Sequence, residues 1–205
     1  KNRQSNRQKP EITSQAHQPT VLRSLQLLLK MADRIEKYRQ KETLTERQSA
    51  QYEHDLFIGC YSVRKLFEST AKVSDETRAT KMSLDWFPKK PDAPIVDCYN
   101  RSEFWELYDL EDRHNEQRDA LFVAHRPIHS FIVVGSAAFE GDMSGDLFTS
   151  DRDKEEWLYF IPTYETVALF SAVERDYPGF VTWRDEKTGK RLWKAPASKG
   201  SVLDG

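Results

Sequence analysis

Phe131-Ile132-Val133-Val134, Leu147-Phe148-Thr149 and Trp157-Leu158-Tyr159-Phe160-Ile161 are three short runs of β-branched and aromatic residues, separated by stretches rich in Gly, Asp and Ser. Runs of this composition bounded by turn residues predict strands. Before His129 the apolar residues recur instead in steps of three and four, the spacing of a helix face. Helices first and strands afterwards predict an α+β fold rather than an alternating α/β one.

Working upstream, Val21, Leu22, Leu25, Leu28, Leu29, Ala32, Ile35 and Tyr38 form one helical stripe, with Thr20 as its N-cap. A second helix opens at Thr43-Leu44-Thr45-Glu46, which fits a capping box, and carries Tyr52, Leu56, Cys60, Val63 and Phe67. The two predict an antiparallel helical hairpin. Between Lys72 and Pro94 the pattern breaks, and Trp86-Phe87-Pro88 reads as loop around a short strand. Asn100 or Ser102 caps a short helix carrying Phe104, Trp105, Leu107 and Tyr108. A further helix from about Asp112 carries Leu121, Phe122 and Ala124 and ends or kinks at Pro127.

Downstream of the three strands, Thr163 caps a helix through Val167, Leu169, Phe170 and Val173. A C-terminal β-hairpin follows, Phe180 to Glu186 and Lys190 to Lys194, turning at Lys187-Thr188-Gly189 and placing Trp183 opposite Trp193. Residues 1–19 are polar and carry a net charge of about +3, and they read as a disordered or loosely docked tail. Residues 20–205 read as a single domain, helical over 20–129 and mixed β/α over 130–195.

Thirty-one Lys and Arg face thirty-three Asp and Glu, so no global field attracts nucleic acid or an anionic membrane, and any such binding needs a local patch. The longest apolar run, around Leu27 to Leu29, is far too short to span a bilayer. No apolar segment follows Lys1, so no signal peptide is expected. Cys60 and Cys98 have no metal-like spacing and read as free, packed thiols of a reducing compartment, which makes a cytoplasmic location the expectation. No GxSxG elbow is present. The five histidines read as isolated, so neither a metal nor another cofactor is expected. Asp142 to Asp153 has some calcium-loop character, but it lacks the required Gly and Glu and reads as a solvated hairpin turn.

Arg118, followed by Asp119, and His125 seven positions on lie on the helix expected from Asp112. This pattern resembles the ribonuclease motif of the HEPN superfamily of helical domains. The resemblance implies that His125 works on the 2′-hydroxyl or the leaving group, that Arg118 stabilises phosphorane charge, and that two copies share a composite site. A second resemblance, to a group of small bacterial proteins, rests on Ile128-His129-Ser130-Phe131, Thr149 to Arg152, Leu158 to Ile161 and Asp176-Tyr177-Pro178, and brings no activity with it. His129 itself reads as a structural hydrogen-bonding residue, with catalytic acid or base as the alternative.

The C-terminal hairpin interleaves Trp183, Arg184, Lys190, Arg191 and Trp193, in a region with an excess of about four positive charges. Aromatics among cations stack bases and hold phosphates, or bind a protein partner. Inward-packed tryptophans on a charged edge hairpin are the plainer account. An acidic region from Asp97 to Asp119 meets that hairpin within the chain or pairs with it between subunits of a homodimer. The function expected is a non-catalytic protein-interaction module. The alternative is a HEPN-like, metal-independent ribonuclease or RNA-binding protein of a defence or toxin type.

Overall fold

Met82, Leu84 and Trp86 alternate with Ser83 and Asp85, and in a computed structural model of the chain this stretch is a strand at the heart of the fold, not a loop. The structure describes residues 11–12, 19–41, 43–69, 72–139, 143–176, 181–184 and 191–194. Its elements are β1 (Glu11–Ile12), α1 (Pro19–Arg39), α2 (Glu46–Glu68), α3 (Asp75–Arg78), β2 (Lys81–Pro88), α4 (Phe104–Leu107), β3 (His114–Asp119), α5 (Ala120–Ile128), β4 (Ser130–Phe139), β5 (Met143–Ser150), β6 (Trp157–Pro162), α6 (Thr163–Glu174), β7 (Val181–Arg184) and β8 (Arg191–Lys194). Helices and strands interleave from α3 to β4, yet the strands pair antiparallel throughout, and the class is α+β.

Five strands form one antiparallel sheet in the order β3-β2-β6-β5-β4. Because side chains alternate across a strand, the three central strands β2, β6 and β5 each feed two cores. Met82, Leu84, Phe148, Tyr159 and Ile161 pack against α1, α2, α5 and α6, whose buried residues include Leu28, Ile35, Leu56, Val63, Val123 and Phe170. Phe87, Leu147, Leu158 and Phe160 point the other way, onto Val96, Leu107 and Tyr108 of the segment between β2 and β3. The sheet is therefore covered on both faces, which is why β6 reads as a continuous apolar run rather than an alternating one.

Helices α1 and α2 run antiparallel, as two contacts show: Arg34 reaches Asp55, and four residues further along α1 the Tyr38 ring lies 6.5 Å from that of Tyr52, three residues earlier in α2. Asp55 is fully buried and accepts both Arg34 Nε, at 2.6 Å, and Nη2, at 2.7 Å. This fork satisfies the carboxylate that burial would otherwise leave unpaired. Gly59 on α2 lets the Phe170 ring of α6 approach so closely that an added Cβ would meet it at 2.2 Å. Asp146, buried on β5 and accepting from the Tyr52 hydroxyl at 3.1 Å, belongs to the interior and not to a solvated turn.

Several sequence expectations are corrected at the element ends. Thr20 lies inside α1, which begins at Pro19. The capping box of α2 is built two residues later than expected, by Thr45 and Gln48. Neither Asn100 nor Ser102 caps α4, whose N-cap is Glu103, and α6 is entered from Pro162 with no side-chain cap. Within residues 1–19, Glu11 and Ile12 pair with Thr182 and Val181 as a two-residue strand. The β7–β8 ribbon sets Trp183 opposite Leu192 and Thr182 opposite Trp193, one residue out of the expected register. Cys60 is buried, whereas Cys98 is exposed rather than packed.

Candidate functional site

Residues 114–119, His-Asn-Glu-Gln-Arg-Asp, contain no apolar residue to anchor a helix face. They instead form the edge strand β3, with Arg118 opposite Met82 and Asp119 opposite Lys81 on β2. A charged edge strand of this kind resists pairing with another chain. At Asp119 the chain passes from strand to helix without a loop. Its carboxylate accepts the Phe122 N–H at 2.7 Å as the N-cap of α5, while the Ala120 N–H donates to the Thr80 carbonyl at 3.0 Å. Arg118 and His125 therefore do not share a helix: Arg118 is on the sheet edge and His125 is on α5.

The junction nevertheless brings both residues to one neighbourhood. The Arg118 guanidinium carbon lies 4.9 Å from the Phe122 ring centre, and Arg126 approaches the same ring at 4.2 Å. Arg126 also lies 5.6 Å from the Tyr159 ring and pairs with Asp153, which in turn accepts from the Ser150 hydroxyl. Beside this stack opens a cleft of about 610 Å³, lined by Asp119, Leu121, Phe122, His125, Arg126, His129, Ser150, Asp151 and Arg152. Arg118 is not itself in the lining, and Glu116 holds it, its carboxylate accepting Nε at 2.8 Å. Arg152 is exposed and makes no ion pair among the described residues.

His125 and His129 are four residues apart, an H-x-x-x-H spacing that puts both on one side of the helix end. Their ring centres are 4.3 Å apart. The expectation of isolated histidines is corrected here, and the spacing itself was the signal that reveals the pair. His129 follows the last turn of α5, and its backbone N–H donates to the Arg126 carbonyl. Its side chain meets Arg64 of α2 at 2.9 Å between Nε2 and Nη1. Among the described residues no third His, Cys, Asp or Glu completes a metal-ligating group with this pair.

No family model matches the chain, and no curated protein or solved structure matches it. The site is consequently read from its own chemistry. Burial, followed by the neighbouring His129, Arg64 and Arg126, lowers the proton affinity of His125. Burial also lowers that of Arg126, and the nearby Arg118 and Arg152 add to the effect. Arg118, by contrast, is raised, chiefly by its bond to Glu116. The lining sets Asp119 and Asp151 against Arg126 and Arg152, with Phe122 behind, so the cleft offers both signs of charge beside an imidazole whose neutral form is favoured.

Of the C-terminal residues singled out in the sequence, Trp183 and Arg184 lie on β7 and Arg191 and Trp193 on β8. Lys190 lies outside the described residues, as do the ribbon's side chains. No helix among the described residues is long and apolar enough to cross a membrane.

Proposed function

We propose that the α5 cleft binds the phosphodiester backbone of single-stranded RNA and that His125 acts there as a metal-independent general base. The observation that carries this reading is the placement of Arg126 and Arg152 in the lining of the cleft that holds the His125–His129 pair, with Arg118 and Arg126 both against the Phe122 ring. Guanidinium groups bind phosphate oxygens bidentately and hold charge that develops on phosphorus. A neutral imidazole accepts the 2′-hydroxyl proton near neutral pH as that oxygen bonds to phosphorus, the P–O5′ bond breaks, and solvent water protonates the departing 5′-oxygen to leave a 2′,3′-cyclic phosphate. The HEPN-like pairing of Arg118 with His125 becomes, in this reading, a strand-to-helix arrangement rather than two turns of one helix. Incubation of the full chain with unstructured RNA and tRNA in EDTA tests it: wild type cleaves and His125→Ala does not. Equal cleavage by the two proteins would remove His125 from the site.

A second reading, a non-catalytic protein-interaction module, is favoured by the segment between β2 and β3. There Ile95 is 76% exposed, Tyr99 90% and Trp105 51%. The turn that carries the first two is fixed by the Asn100 amide donating to the Ile95 carbonyl at 2.9 Å, and by the buried Val96. Exposed apolar side chains on an ordered turn lose little entropy when a partner covers them. Trp105→Ala and Tyr99→Ala leave RNA cleavage unchanged in the first reading and abolish partner binding in the second.

A further inference from the structure

Arg64 lies on α2, 65 residues before His129, and its Nη1 stands 2.9 Å from the His129 Nε2. A guanidinium carries only donors and stays protonated in proteins, so in this contact the imidazole nitrogen must be the acceptor. Nε2 then holds the lone pair and the ring proton sits on Nδ1. Arg64 is itself held from the other side, since Glu68, one turn along α2, accepts its Nε at 2.7 Å and also pairs with Lys65 at 3.1 Å. The guanidinium is thus braced on its own helix before it reaches across to α5.

We infer that Arg64 is a positioning residue that fixes His129 as the neutral Nδ1–H tautomer, so that His129 offers the cleft a hydrogen-bond donor while His125 alone carries the proton transfer. Among the described residues neither the Nδ1 of His129 nor either ring nitrogen of His125 has a hydrogen-bond partner. Both residues line the cleft, and these are the ring nitrogens left to a ligand there. Protonating His129 at Nε2 would set N–H against N–H at Arg64. The charged groups around the pair are Arg64 and Glu68 of α2, Asp119 and Arg126 at the two ends of α5, and Asp151 and Arg152 of the turn after β5. A preorganised neutral imidazole N–H is suited to an oxygen on which negative charge builds, because it donates without losing its proton. The donor role rests on the cleft reading above, whereas the tautomer does not.

The test is long-range ¹H–¹⁵N correlation of the histidine rings in the ¹⁵N-labelled full chain, with His125→Gln and His129→Gln supplying assignments. The expected pattern for His129 is protonated Nδ1 and unprotonated Nε2 in wild type, a mixture of tautomers in Arg64→Ala, and partial recovery in Arg64→Lys. Protonated Nε2 in wild type, or a pattern that Arg64→Ala leaves unchanged, overturns the inference. Adding inorganic phosphate separates it from the cleft reading. A shift of the His129 Nδ1 resonance in wild type, lost in Arg64→Ala, supports the donor role. A fixed tautomer that phosphate does not perturb overturns the donor role and the cleft reading together, and leaves only the Arg64–His129 coupling.

Discussion

The guanidinium of Arg126 lies 4.2 Å from the centre of the Phe122 ring, one turn earlier on the same helix, and pairs at its far side with Asp153 from the turn between β5 and β6. This one side chain ties α5 to the sheet and supplies the innermost positive charge of the cleft. Replacing it with Lys keeps the charge but removes the flat, forked group that both contacts need. Arg126→Lys should lose about 1 kcal/mol of stability, a cation–π contact plus a partly exposed ion pair. Chemical denaturation measures this as a lower midpoint with an unchanged slope, and an unaltered midpoint would contradict the role given to the stack.

Gly59 carries a different kind of constraint. It sits mid-helix, where Ala would ordinarily be favoured by up to about 1 kcal/mol, yet its missing Cβ is where the Phe170 ring lies. Phe170 is fully buried and has nowhere to move. Overpacking of this sort costs about 1–3 kcal/mol, so Gly59→Ala should destabilise despite its better helix propensity. Thermal unfolding of the variant decides the sign, and a raised melting temperature would mean that α2 and α6 are further apart than described.

His125 releases its proton more readily in the folded chain than in the unfolded one, for which the usual value is about 6.5. Unfolded chain therefore binds more protons as pH falls past that value. The contribution to stability is fully present above it and is lost as pH drops through the lower, folded value. An NMR titration should place His125 below an ordinary histidine, and His129→Gln should move it upward by removing a neighbouring ring. A wild-type titration at or above the ordinary value would contradict the crowding of His129, Arg64 and Arg126 around it.

The thiols give a quick check on the interior. Burial, followed by the nearby Asp146, pushes Cys60 far above the usual thiol range, while Cys98 is exposed. One thiol should react rapidly with Ellman's reagent in the native protein and both after unfolding. Two rapid thiols in the native state would place α2 elsewhere.

Much of this architecture was legible before any coordinates. The stripe of Leu28, Ala32 and Ile35, the helix through Tyr52, Leu56 and Cys60, and the runs at 131–134, 147–149 and 157–161 all show their periodicity in the residues themselves. The strand β2 was legible too, in the alternation of Met82, Leu84 and Trp86, but the loop-forming flavour of Trp86-Phe87-Pro88-Lys89 outweighed it. Strand β3 was not, because six polar residues announce no face. Its conformation is imposed from outside by pairing with β2, a tertiary effect that local composition does not carry. This is why the sequence reading puts Arg118 on a helix when it lies on the sheet edge. The sequence does not mark Arg64 or Arg152 as site residues for a related reason, since only the packing of α2 and of the turn after β5 against α5 brings them near His125 and His129.

The central claim is that the α5 cleft holds RNA through its arginines, and Arg152 tests it most directly, being exposed, unpaired among the described residues and outside the core. The measurement is fluorescence anisotropy of a short labelled single-stranded RNA against wild type and Arg152→Glu, across a series of salt concentrations. The account predicts that Arg152→Glu binds about tenfold or more weakly, the equivalent of about 1.4 kcal/mol, with a shallower salt dependence and an unchanged melting temperature. Equal affinity and equal salt slope for the two proteins, or no binding by wild type at low salt, would contradict it.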